Sequence, residues 1–331
     1  MAGTDNMSRW SSDAFHVEVT RWVEKAAADS GVSLTGEREQ PHNRPWSSAI
    51  RFGAAGDDLW FKVNGPGTRH EGDLVALLAG LEPDLVAPVL AVDTERGWSL
   101  TRDAGPVMRS VAAPDDLWDA WAEVLRRYAE AQLRLAEHAR AVLATGLREV
   151  SPTTLPDQMR ALVEELGEQA PEEGGITRVE RERLVFCLDD FDDWCAELAA
   201  SAVPSSVQHD DIHSSNICWS GCAATARIID WGDCVWGYPL GTMLGTLNSI
   251  AWHAKCQRDD PSVLRVRDAY LEPFTAYADR DELVRYVDLA RRTGCLTKAL
   301  SYRASLLGEP LEAHRQHDFP VRGWLLETLE G

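Results

Sequence analysis

His209-Asp210-Asp211-Ile212-His213-Ser214-Ser215-Asn216, with Asp230 fourteen residues beyond Asn216 in Ile228-Ile229-Asp230-Trp231-Gly232-Asp233, is the stretch on which the reading of the chain turns. Its first part has the form H-x-D-x-x-x-x-N. Transfer of a phosphoryl group to an alcohol needs these residue types. One carboxylate accepts the proton of the acceptor hydroxyl. An amide oxygen and a second carboxylate hold a hard cation, Mg²⁺, against the phosphates. The segments NICW (216–219) and ARIID (226–230) read as a short hairpin that folds Asn216 and Asp230 back together, and Gly232 lets the backbone turn after it. Asp211, Asn216 and Asp230 are each, taken singly, ordinary turn formers; order and spacing set them apart.

The first third of the chain supplies a complement. Residues 58–63, DLWFKV, alternate as a strand does, with Leu59, Phe61 and Val63 on one face and Trp60 and Lys62 on the other. Residues 70–81 carry the helical stripe Leu74, Leu77, Leu78, Leu81. Glu71 opens that helix on its apolar, inward side, since Leu74, Val75 and Leu78 follow at three, four and seven residues. A buried carboxylate needs a partner, and Lys62 on the neighbouring strand is the available cation. Lysine is rare here: Lys25, Lys62, Lys255 and Lys298 are the only four, every other basic residue being arginine. A lysine kept at a special position invites a chemical reason, because a compact ammonium does what a guanidinium does not. Held by a glutamate, it can grip nucleotide phosphates.

Around these motifs the chain divides by character. Apolar spacing predicts a helix over 14–29. Residues 30–57 read as loop with weak strands, and 89–93 and 98–102 as two further strands. From about 106 helical patterns dominate, over 115–146, 155–169, 177–201, 238–256, 261–278 and 280–306. The 331 residues carry 44% hydrophobic and 26% charged side chains, a globular composition with material for a sizeable core. The length suggests two domains at about 100–200 residues each. Thirty-three basic against 53 acidic residues leave a net charge of −20, which argues against nucleic acid or an anionic membrane surface as partner and favours a cationic small molecule. No apolar run approaches the roughly 18 residues of a membrane helix, and the N-terminus lacks the basic and apolar regions of a signal peptide. The seven cysteines, odd in number and without a C-x-x-C pair, read as free thiols of a reducing cytoplasm.

With these residues in place the sequence resembles the aminoglycoside phosphotransferases and their wider kin. That family's pattern H-G-D-x-H-x-x-N followed by I-D-[WF]-x-D stands here as HDDIHSSN and IDWGD, and with Lys62 and Glu71 the likeness runs in order over roughly residues 48–245. It implies an α+β, bilobal, protein-kinase-like fold: a small β-rich, nucleotide-binding N-lobe over 1–103 and a larger helical C-lobe over 104–331. It implies a kinase using ATP and Mg²⁺, with Asp211 as catalytic base, Asn216 and Asp230 on the metal, and Lys62 on the ATP phosphates, positioned by Glu71. Leu100-Thr101-Arg102-Asp103 resembles the hinge that contacts adenine, with Thr101, Arg102 and Asp103 flanking the base. The implied acceptor is a small, cationic, hydroxylated molecule such as an aminoglycoside; a sugar, amino sugar, choline or homoserine is the alternative, and a non-catalytic nucleotide-binding module the third. The absence of an A-P-E segment argues against a protein substrate.

The sequence also departs from the pattern. Asp210 replaces the glycine of H-G-D and is expected to turn away from Asp211, toward the surface or a basic side chain, because adjacent carboxylates raise one pKa. No glycine-rich loop precedes Lys62, so SSAIRFGAAG (47–56) would cover the nucleotide. His209 is expected to brace its loop; His213 is either a brace or a site contact. Asp233 is a weaker second metal ligand. The acidic run Asp189, Asp190, Asp192, Asp193 reads as a solvated helix face. Trp118, Trp121, Trp194 and Trp252 read as packing, with Trp231 and Trp236 as exceptions beside the metal loop.

Overall fold

Alternation along the strand Leu59–Asn64 decides which way the first lobe faces. In the computed structural model, which describes residues 5–111 and 117–330, that strand lies at the centre of a five-stranded antiparallel sheet. The strands run Leu34–Asn43, Ser47–Ala54, Leu59–Asn64, Trp98–Arg102 and Val89–Asp93 in spatial order. Ile50, Phe52, Leu59, Phe61, Val63, Trp98 and Leu100 share one face and form a core with Phe15, Val19 and Val23 of the helix Asp13–Asp29. Each such side chain contributes about 1.5–3 kcal/mol when fully buried. The aromatic rings of Phe15, Trp22, Phe61 and Trp98 meet edge to face within that core. The opposite face carries Lys62, with Ala49 and Ser99 beside it in register.

The strands at 59–64, 89–93 and 98–102 and the helix Glu71–Leu81 form where the pattern places them. Residues 30–57 do not stay loop-like: they make the two longest strands of the sheet. Their Ser, Gly, Pro and Asn content lowers intrinsic strand preference, but Ile50 and Phe52 face the core and the segment Ser47–Ala54 pairs on both sides. Pro41 is tolerated because it lies in an edge strand, within a register irregularity between Glu39 and His42. The segment 47–56 is therefore mostly strand, and only its last residues form a turn over the cleft.

The remainder is helical. The expected helix over 115–146 is two helices, Leu117–Ala136 and Ala139–Leu143, and residues 115 and 116 lie outside the described residues. The pattern over 177–201 breaks at Cys187 into Arg178–Phe186 and Leu188–Ala200. Arg280–Ser305 is the longest helix, started by a capping box in which Asp279 and Glu282 exchange hydrogen bonds. Among the tryptophans, Trp121 is core, but Trp252 is 80% exposed: Leu247, Ile250 and Ala251 occupy the inward face of its helix. Trp231 and Trp236 are both buried; Trp236 is a packing residue, while Trp231 also borders the cleft beside Asp230. Asp189, Asp190 and Asp193 face solvent and Asp192 pairs with Arg160. Among the described residues no helix is long and apolar enough to cross a membrane, and the seven cysteines are free.

The two lobes touch backbone to backbone. At Gly67, in the turn Pro66–Thr68, a Cβ would stand 1.9 Å from the Ala304 carbonyl oxygen of the long helix. Trp46 packs on His317 with ring centroids 4.9 Å apart, and Asn6 N donates to Glu309 Oε1 at 3.4 Å. Gly80, in the helix Glu71–Leu81, has open space where its Cβ would be. In urea unfolding, Gly80→Ala is expected to raise stability by about 0.5–1 kcal/mol, and Gly67→Ala to lower it by about 1–3 kcal/mol through overpacking.

Candidate active site

Two short strands set the core of the site. Ile217–Cys218 pairs with Arg227–Ile228 as an antiparallel hairpin, and Ile229 N donates to the Asn216 carbonyl at 2.9 Å. Asn216 and Asp230 are thereby neighbours. The turn out of this hairpin falls on Asp230 itself, at φ 67°, and not on Gly232. A non-glycine residue in that region is uncommon and asparagine and aspartate are the side chains most often found there. Gly232 serves close approach instead: its Cβ would stand 3.1 Å from Glu71 Oε2.

Lys62 reaches across the cleft. Its Nζ lies 2.7 Å from Glu71 Oε2 and 2.5 Å from Asp230 Oδ1. Glu71 is buried as its place on the helix predicts, and its Oε1 also accepts from the Trp231 backbone N–H at 3.0 Å. Burial disfavours the ammonium, but Asp230 and Glu71 more than reverse this and the Lys62 pKa is raised. Lys62 in turn lowers the Asp230 pKa against burial. Burial, only partly offset by Lys62, leaves the Glu71 pKa raised.

His209 ties the loop of Asp211 to that of Asp230. Its Nδ1 accepts from the Asp211 backbone N–H at 3.2 Å, so the proton sits on Nε2, which donates to the Ile229 carbonyl at 3.1 Å. Complete burial pushes its pKa down to about 4, and Trp231 meets its ring edge to face at 4.9 Å. His209 is the brace the sequence suggests. His213 does both things open to it: Nδ1 accepts from Ser215 N at 3.1 Å, and Nε2 stands 3.3 Å from Asp211 Oδ2. The Asp211 side chain is 40% exposed. Burial pushes its carboxyl up, but the contact with His213 and the Lys298 ammonium hold it below the usual range.

Asp210 corrects an expectation in part. It does turn from Asp211, but into the protein: it is 3% exposed and accepts from Gln208 Nε2 at 2.5 Å. Lys298 and Arg148 act on it as the basic neighbours, yet burial dominates and its pKa rises to about 6. Asp233 faces away from the cleft and accepts from Ser305 Oγ at 3.1 Å.

Lys62, Glu71, Asn216 and Asp230 line one cleft of about 1020 Å³ between the sheet and the hairpin, together with Thr101, Arg102 and Asp103. In the segment Leu100–Asp103, Arg102 N donates to Pro88 O and Asp103 N to Asp58 O, both at 2.8 Å. Among the described residues no group of three His, Cys, Asp or Glu side chains closes on a metal-sized hole. The donor set still suits Mg²⁺, which takes few protein ligands beside phosphate oxygens and water. Asn216 Nδ2 is held by the Asp211 carbonyl at 2.9 Å, which turns the hard amide oxygen away from that bond.

Sequence reasoning missed Lys298, whose Nζ lies 3.7 Å from Asp211 Oδ1. The signal was present: it is one of four lysines, and the one charged residue in the run 293–301. For Asp210, a folded pKa raised above the unfolded value means that the native state holds the extra proton. Stability from this group is present below about pH 4 and is lost as pH rises through about 6. Asp210→Asn removes that loss, so the stability of the variant relative to wild type is expected to climb between pH 4 and 6 and then level, read from urea unfolding across that range.

Residues 41–283 match the profile of the phosphotransferase enzyme family, APH. No curated protein sequence matches the chain. Among solved structures, the ethanolamine kinase of Plasmodium vivax is 14% identical, with 97% of this chain and 88% of that one aligned at a TM-score of 0.58. The choline kinase of Streptococcus pneumoniae is 12% identical over 94% and 98% at 0.56. A macrolide 2′-phosphotransferase of Brachybacterium faecium is 17% identical over 87% and 98% at 0.54. At these identities the likeness is one of fold, and it is the bilobal, protein-kinase-like one. The profile, by contrast, spans most of the sequence, and by it this chain belongs to the phosphotransferase enzyme family.

Proposed function

We propose that the protein transfers the γ-phosphoryl group of ATP, with Mg²⁺, to a hydroxyl of a small cationic molecule. The observation that carries the reading is the pairing of Lys62 with both Glu71 and Asp230, beside a half-exposed Asp211 whose loop is tied to that of Asp230 through His209. The cleft lies between the nucleotide-binding part, residues 1–103, and the helical part, residues 104–331. ATP fills it with adenine against Thr101, Arg102 and Asp103. The backbone N–H groups of Arg102 and Asp103 are already engaged within the protein. Lys62 grips phosphate oxygens and Glu71 holds its ammonium in place. Asp230 and the Asn216 amide oxygen would hold Mg²⁺, which when bound supplies positive charge against the phosphate oxygens.

Asp211 accepts a hydrogen bond from the acceptor hydroxyl, aims its oxygen at the γ-phosphorus, and takes the proton as the new bond forms. A lowered pKa makes it a weak base, which suits a loose transition state in which the hydroxyl loses its proton late. The carboxylates about the site and the net charge of −20 support a cationic acceptor. Aminoglycosides and related antibiotics are the first class. Amino alcohols are the second reading, favoured by the likeness to ethanolamine and choline kinases. The seven free thiols support a reducing, cytoplasmic setting.

The experiment is coupled ADP release with Mg·ATP, across aminoglycosides, macrolides, amino sugars, choline, ethanolamine and homoserine. Acceptor-dependent release is expected for one class. Asp211→Asn should lower it by about 10²–10⁴-fold while leaving Mg·ATP binding unchanged within a few-fold. Transfer by Asp211→Asn at the wild-type rate rules out the assigned base. Mg·ATP binding without transfer to any acceptor favours a non-catalytic nucleotide module.

A further inference from the structure

Between Thr293 and Ser301 the helix Arg280–Ser305 is buried all round, and Lys298 is the one charge in that run. Its side chain is 10% exposed. An ammonium carries three donors and no acceptor, and leaving them unused inside a protein is costly. Yet among the described residues Nζ makes no hydrogen bond. Its ion-pair contact is Asp211 Oδ1 at 3.7 Å, beyond hydrogen-bond length.

A lysine that only neutralised buried carboxylate would sit on Asp210. Asp210 is the more buried of the two, and its Oδ2 has no partner. Lys298 instead reaches toward the half-exposed Asp211, with Asp210 and Asp233 acting on it from farther away. The facing helix Met243–Ala254 passes close beside the ammonium. A Cβ on Gly245 would stand 2.8 Å from the Asp210 carbonyl oxygen and 3.8 Å from Nζ. The three donors of the ammonium are thus unspent within the protein, beside Asp211.

We propose that Lys298 is a second catalytic residue of the transfer, its ammonium donating to the oxygens of the phosphoryl group as that group arrives at the acceptor. The inference rests on the reading of Asp211 as the base. The bond from the γ-phosphorus to the β–γ bridging oxygen breaks and its electron pair stays on ADP. The acceptor oxygen forms the new bond to phosphorus, and its proton passes to Asp211. Lys298 keeps all three of its protons throughout. It stabilises charge on the phosphoryl oxygens at the acceptor end, as Lys62 does at the nucleotide end.

Aluminium fluoride with Mg·ADP imitates the group in flight, and the affinity of the full chain for Mg·ADP with and without it tests the role by calorimetry. Wild type is expected to bind at least about 10-fold more tightly with fluoride, the range of a charge-assisted hydrogen bond. Lys298→Met keeps the apolar stem and removes the donors. It is expected to match wild type on Mg·ADP within twofold and to lose the tightening. Equal tightening in the variant overturns the inference, as does a wild type that binds Mg·ADP but gains nothing from fluoride; both leave the nucleotide reading standing. A wild type that binds no Mg·ADP overturns that reading and this inference with it. Should Lys298→Met not fold by circular dichroism, Lys298→Gln is read by the same criteria.

Discussion

An ammonium shared by two carboxylates from different lobes is the contact on which the rest of the molecule is arranged. Lys62 belongs to the sheet, Glu71 to the helix behind it, and Asp230 to the hairpin across the cleft. Glu71 is nearly inaccessible and its partner largely so. Removing one member of such a pair costs about 3–5 kcal/mol, because a charge is left behind without compensation. The triad therefore constrains sequence on three separate elements. It also aligns the sheet with the hairpin, since Glu71 accepts the Trp231 N–H as well.

The C-lobe answers with a framework of neutral polar groups. Tyr128 donates to the Val207 carbonyl and accepts from His209 N, and Gln132 donates to the same carbonyl, all at 2.9 Å. These bonds hold the strand Ser206–Gln208 that leads into the loop of Asp211. His209, kept neutral by burial, then passes the position of that loop to Ile229 without bringing a charge into it. Charged contacts join the side chains across the cleft, and uncharged ones hold most of the backbone beneath them. The two kinds are separated by burial: the neutral bonds lie deepest.

Much of this was legible in the residues. The alternation in DLWFKV placed Lys62 on the cleft face, and the apolar stripe after Glu71 placed that carboxylate inward. Both are local consequences of period, which sequence carries directly. Asn216 and Asp230 meet through a hairpin whose two apolar arms could be read. What escaped depended on partners remote in sequence. The strands in 30–57 owe their existence to pairing, so a segment poor in strand formers gave little sign of them. Asp210 turned inward because Gln208, Lys298 and Arg148 converge there, a convergence no spacing rule describes. Lys298 lies 87 residues from Asp211, and only its rarity marked it.

The long helix gives the contact at Gly67 a further meaning. Ala304, whose carbonyl meets that glycine, and Lys298, which faces Asp211, lie on one rigid rod six residues apart. At 1.5 Å per residue their separation along the axis is about 9 Å. The helix thus acts as a gauge block between the half of the molecule that carries Lys62 and the half that carries Asp211. Side-chain contacts can absorb an error of an ångström by changing rotamer, but a carbonyl pressed on a glycine backbone cannot. Tolerance at this joint is set by covalent geometry, and substitutions far from the cleft that alter the pitch of this helix will be felt as misregistry between its two halves.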